Sequence, residues 1–170
     1  DIKHLDDSGY ARNLFSLAKG DYGRMDLLPP QPCNDLAPST PNVWTDGSVK
    51  SPSMHVWSSG GFGAVYQDRE DGTLHNNEAT FVHSEHHDNQ IRLWGPMPGP
   101  RTWSTRTEIA GGLLALYAPG PVHIASDSLN FVRITRRRLQ GVEHKTFNKP
   151  WTLIPNGDLW ELFFQHARLK

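Results

Sequence analysis

Two short β-favouring runs, each closing on an aspartate, flank one segment of helical period, and that order restricts the fold more than any other feature of the chain. The first run is Val43-Trp44-Thr45-Asp46, leading into Gly47-Ser48; the second is Pro121-Val122-His123-Ile124-Ala125-Ser126-Asp127, leading into Ser128. Between them, from Thr105, residues Ile109, Leu113 and Leu116 recur at helical spacing, and Pro119-Gly120-Pro121 stops the helix. A strand–helix–strand unit of this kind is a crossover that makes parallel neighbours in one sheet. Sheets of that type carry their chemistry at the carboxyl ends of the parallel strands. The fold class expected is therefore α/β with a mixed sheet.

Ahead of the helix, residues 42–47, 60–68 and 90–97 read as three strands in series, an antiparallel meander. In the second of them Phe62, Ala64 and Tyr66 share one side and Val65 faces the other. Helices over 128–140 and 156–170 complete a β-β-β-α-β-α-α order, with the fourth strand parallel to the first or the third. Asp158 stands near the start of the last helix, where the dipole favours an anion. Residues 1–41 read as an arm: a short helix around Tyr10–Ala18, then an extended linker in which PPQPCNDLAPSTP carries five prolines. The compact domain is expected over 42–170.

The bulk composition excludes several classes. The 170 residues suit one domain plus an arm. A net charge of −1 rules out a strongly basic chain, so a nucleic-acid partner needs a local patch. The single cysteine, Cys33, makes no internal disulfide and fits a reducing, intracellular compartment, without separating nucleus from cytoplasm. No apolar run approaches the ~18 residues of a membrane span, so no membrane partner is expected. A chain that begins with Asp1 rather than Met reads as part of a longer polypeptide, whose other domains would be partners.

On adjacent parallel strands Asp46 and Asp127 would lie side by side, with Glu108 brought in by the first turn of the intervening helix. Carboxylates that close repel one another unless a cation neutralises them. Hard oxygen ligands without cysteine select Mg²⁺ or Mn²⁺, and the natural chemistry is two-metal phosphodiester hydrolysis. Each acid also has a plainer reading. Asp46-Gly47 suits a turn, Thr105-x-x-Glu108 a capping box, and Asp127-Ser128 a helix cap. The plainer readings require three coincidences in one order.

The segments WTDGS (44–48), GGFGAVY (60–66), STRTEIAGGLLAL (104–116), HIASDS (123–128) and NKPWTLIPNGDLWELF (148–163) together resemble the ribonuclease H domain in its type 1 and retroelement forms. The resemblance runs over residues 43–166. It implies a ribonuclease H-like mixed sheet, three antiparallel strands then a parallel one, with flanking helices. It also implies an endonuclease that cuts the RNA strand of an RNA–DNA hybrid, as a domain of a longer protein such as a retroelement polyprotein. Asp46, Glu108 and Asp127 would be the catalytic, metal-binding carboxylates, with Asp46 bridging two Mg²⁺ or Mn²⁺ ions. The family's fourth carboxylate, on a helix after a fifth strand, has no counterpart before Lys170. Asp158 is not assigned to it, because NGDLW aligns with the preceding helix. The domain thus reads as incomplete at its C-terminus, with an exposed sheet edge open to self-association, and the chain as given is open to being inactive.

The resemblance also suggests where nucleic acid would lie. Ser104 and Thr105 stand where family members often carry Asn or Gln reading the minor groove, and their hydroxyls still reach a 2′-OH. Ser48, Arg106 and Ser128 neighbour the acids. Arg133, Arg136, Arg137, Arg138, Lys145 and Lys149 form the densest basic cluster, where the family grips the DNA strand, and Phe147 and Trp151 add aromatic surface. A solvated helix face is the plain alternative for that cluster. His83–Asp88, HSEHHD, reads as a polar loop rather than a zinc site, and Trp44, Trp94 and Trp160 as core. Two other functions stay open: a catalytically inactive binding or scaffold module of the same fold, and another nuclease of the superfamily, which Glu108 on the first helix disfavours.

Overall fold

Side chains along β1 (Val43–Lys50) alternate between buried and exposed, so one face of the strand meets a core. The structure is a computed structural model, and it describes residues 32–50, 58–69, 82–97, 102–140 and 149–170. The same alternation marks β2 (Ser59–Gln67), where Phe62, Ala64 and Tyr66 are buried, and β4 (Gln90–Pro96), where Ile91 and Leu93 are. With β3 (His83–His87) and β5 (Ile124–Ser126) they form a five-stranded sheet in the order β3-β4-β2-β1-β5. The three pairs from β3 to β1 are antiparallel, and β1–β5 is parallel. The fold is therefore α/β with a mixed sheet, and of the two parallel pairings expected it is the first strand that receives the crossover.

Helix α1 (Ser104–Leu116) lies on the buried face of β1 and β2. Residues 107–116 of α1 are all buried, because α3 (Gly157–Ala167) covers its far side and α2 (Leu129–Leu139) adds Phe131. Gly112 admits Phe131: a Cβ there would stand 2.3 Å from the ring's Cζ. Phe131 in turn stacks on Trp160 at 5.8 Å and meets Phe163 edge-on at 5.4 Å, closing the core with aromatic area that no aliphatic contact supplies. The Tyr66 hydroxyl donates to the Leu114 carbonyl at 2.8 Å in this interior. That carbonyl also accepts from the Tyr117 N–H at 3.1 Å, so Tyr66→Phe removes one of two bonds without orphaning it and is expected to cost about 1 kcal/mol, read as a lower urea midpoint at unchanged m-value.

The structure corrects several expectations. β1 does not end at Asp46 but runs four residues further to Lys50, paired with β2, so Asp46-Gly47 is no turn. HSEHHD is not a loop: His83–His87 is a strand at the sheet edge, paired to β4 and followed by Asp88 in the left-handed region (φ 53°). Its five residues are all exposed, which is how an edge strand escapes hydrophobic periodicity. The second strand run shrinks from 121–128 to three residues. Trp160 is buried, but Trp44 and Trp94 are 38% and 43% exposed, because the alternation turns both onto the face opposite α1. The expected helix at Tyr10–Ala18 lies outside the described residues. Residues 32–41 carry no helix or strand, yet they touch the domain: the Cys33 N–H donates to Leu169 O at 2.8 Å, and His123 Nδ1 lies 2.8 Å from Pro38 O. Among the described residues, no helix is long and apolar enough to cross a membrane.

Candidate metal centre

The parallel ladder ends on the pair Thr45–Ser126, and each strand's next residue is an aspartate. Asp46 and Asp127 are therefore set side by side by register alone. Beyond them the chains diverge: β1 continues against β2, while Ser128 starts α2 by accepting a bond from the Phe131 N–H. Ser128 is thus the helix cap that the plainer reading proposed, and Asp127 is left exposed beside Asp46.

Glu108 arrives from the other side of the sheet edge. Gly47 is the reason it can come close: a Cβ there would lie 2.5 Å from Thr107 Oγ1 and 2.7 Å from the Glu108 nitrogen. One turn on, a Cβ at Gly111 would lie 3.2 Å from the carbonyls of both Asp46 and Gly63. Backbone thus rests on backbone, and oxygens of Asp46, Glu108 and Asp127 all lie within 4.8 Å of one another. The capping-box reading of Glu108 fails. The helix cap is Trp103, whose side chain makes no capping bond, and Glu108 is the fifth helical residue, with no acid in the first turn.

The electrostatics match the geometry. Burial pushes the Glu108 carboxyl up to about 7, and the charges of Asp127 and Asp46 push the same way. Bonds from the Gly47 backbone and the Ser126 side chain oppose them without prevailing. Glu108 is 8% exposed, and its Oε2 is buried with no hydrogen-bond partner among the described residues. An unpartnered buried carboxylate oxygen facing two further carboxylates fits a hard divalent cation, which would neutralise the cluster and satisfy the orphan. Asp46, Glu108 and Asp127 are the residues that would hold it, and they are the metal-ligand group found among the described residues.

The expected nucleic-acid residues fall into two sets. Ser48 and Ser104 are exposed and Thr105 half-buried, near the acids in sequence. Arg137 and Lys149 are exposed, with Arg133 and Arg136 on the same helix; Lys145 and Phe147 lie outside the described residues. Arg138 and Trp151 are held together instead: the guanidinium lies 3.9 Å from the indole centroid, and the indole stacks on Phe164 at 5.9 Å. Arg106 forks Asp158 through two bonds of 2.9 and 2.6 Å. Sequence reasoning missed Ser126, Thr107 and the working role of Gly47. The available signal was that Gly47 and Ser126 each adjoin an acid inside a strand, where side chains on the helix-facing side decide how near the helix comes. No family model matches the chain, and no curated protein or solved structure matches it either.

Proposed function

We propose that the chain is a ribonuclease H-like nuclease domain that cuts the RNA strand of an RNA–DNA hybrid by divalent-metal catalysis. The observation that carries this reading is the convergence of three carboxylates, one of them buried with an unpartnered oxygen, at the end of a parallel strand pair. Mg²⁺ or Mn²⁺ bound there would supply charge neutralisation and an activated water at a phosphodiester. The chain's own part is positioning. Asp46 and Asp127 present exposed oxygens toward an incoming strand, and Glu108 backs them from the buried side. Ser48, Ser104 and Thr105, near the acids in sequence, offer hydroxyls for 2′-OH contacts. Arg137 and Lys149 offer exposed cations for phosphates further along.

A second reading, a binding module of the same fold without catalysis, draws on one observation. Among the described residues only three carboxylates converge, and Asp158 is engaged by Arg106. A hybrid labelled on its RNA strand separates the readings. With Mg²⁺, RNA fragments are expected; with chelator, or with duplex DNA, none. A folded chain that binds the hybrid and leaves it whole in Mg²⁺ and Mn²⁺ would establish the module. Preferential trimming of DNA ends would instead point to a different nuclease.

A further inference from the structure

The turn of α1 that carries Glu108 is clamped from both sides. On the sheet side there is no slack, since the Gly47 position leaves no room for even a methyl against Thr107 and Glu108. On the far side the preceding residue, Arg106, forks Asp158 in the first turn of α3, 52 residues away, with N···O distances of 2.9 and 2.6 Å. Among the described residues, this end of the helix has no capping bond from the Trp103 side chain. Thr102 ahead of it donates its N–H to Ser58 Oγ at 3.1 Å.

We propose that Asp158, acting through Arg106, is a positioning residue for Glu108: the fork presses the first turns of α1 onto β1 and thereby sets the spacing of the three carboxylates. The inference rests on the metal-centre reading above. Two features separate this pair from an ordinary surface ion pair. The guanidinium engages both carboxylate oxygens, a geometry that fixes orientation as well as distance. The Arg106 side chain is only 20% exposed, so solvent screens the pair less than its 62%-exposed partner alone would suggest. The guanidinium also holds the Asp158 carboxyl below the usual range, so the fork persists into mild acid. Asp158 thus has a place near the site without being a ligand, since both its oxygens are turned to Arg106.

The test is Mn²⁺ affinity, followed by calorimetric titration, alongside melting temperature and hybrid cleavage. Asp158→Ala is expected to weaken Mn²⁺ binding by about 3–10-fold, at or just below the range for groups that orient metal ligands indirectly. Arg106→Ala in the same chain should add no further loss of Mn²⁺ affinity, and Asp158→Glu should stay within twofold of wild type. For cleavage, Asp158→Ala should lower kcat and leave KM unchanged. A lower melting temperature with Mn²⁺ affinity within twofold of wild type would overturn the proposal, leaving the fork a tie between helices. Tighter hybrid binding by Asp158→Ala would overturn it too, showing that Asp158 masks a phosphate-binding arginine. A wild-type chain that binds Mn²⁺, shows the expected variant response and cuts nothing would remove the nuclease reading and leave the positioning role intact.

Discussion

Glu108→Gln is expected to do two opposite things: raise the melting temperature of the metal-free domain above pH 7 and abolish metal binding. In the folded chain the Glu108 carboxyl titrates at about 7, against an ordinary value of 4.5. The folded state therefore holds the proton more tightly than the unfolded one, and stability falls as pH rises between those two values. Above pH 7 the wild-type protein carries the full cost of a buried charge facing Asp46 and Asp127. Glutamine removes that charge, and its amide can donate to either aspartate. The gain is about 1–2 kcal/mol, a few degrees of melting temperature, at pH 8 and close to nothing at pH 4.5. Millimolar Mg²⁺ should close the gap by stabilising the wild type alone, more at pH 8 than at pH 6, because the ligand must lose its proton to bind. Cleavage should fall by about 10³-fold or more in both Glu108→Gln and Asp46→Asn, beyond the 10–100-fold typical for an indirect partner of a metal. Equal melting curves for wild type and Glu108→Gln across pH, with and without Mg²⁺, would show that the cluster is neither strained nor a cation site.

How much of this was legible in the chain depends on which force wrote each feature. Hydrophobic alternation wrote the buried face, so Phe62, Ala64 and Tyr66 were placed correctly from residue types alone, as was the helix of Ile109, Leu113 and Leu116. The three acids were legible from their order, strand then helix then strand, and they do converge, although Asp46 lies inside β1 rather than at its end and Glu108 is the fifth residue of α1. Features fixed by pairing rather than by burial were not legible. The edge strand His83–His87 buries nothing and earns its place through backbone bonds to β4, which leave no periodic trace. Trp44 and Trp94 were expected inside from their size, but strand parity overrides size and turns both outward. The fork between Arg106 and Asp158 joins residues 52 apart, and nothing in either neighbourhood announces the other. Gly47 misled most. Beside Asp46 it reads as half of a turn, whereas its function in the fold is to have no side chain inside a strand.

That reading of Gly47 yields the sharpest structural prediction, because one methyl group tests it. A Cβ at Gly47 would stand 2.5 Å from Thr107 Oγ1 and 2.7 Å from both the Glu108 nitrogen and the Thr107 carbonyl carbon. Two of these three atoms are backbone, and Thr107 is fully buried with its hydroxyl bonded to Ser104 O, so the helix itself must move. Overpacking of this kind costs about 1–3 kcal/mol. The movement carries Glu108 away from Asp46 and Asp127, so the functional loss should exceed the loss of stability. Gly63→Ala supplies the control from the neighbouring strand: its nearest atoms would be Leu93 O at 3.3 Å and Trp94 Cβ at 3.7 Å, a fit that asks for only a small adjustment. Gly47→Ala is thus expected to fold with a melting temperature several degrees lower, to bind Mn²⁺ at least ~10-fold more weakly and to cut hybrid poorly, while Gly63→Ala stays near wild type on all three. If Gly47→Ala lost stability yet bound Mn²⁺ like the wild type, the contact between α1 and β1 would matter to the fold alone. The spacing of the carboxylates would then have to be set from the far side of the helix, where Arg106 meets Asp158.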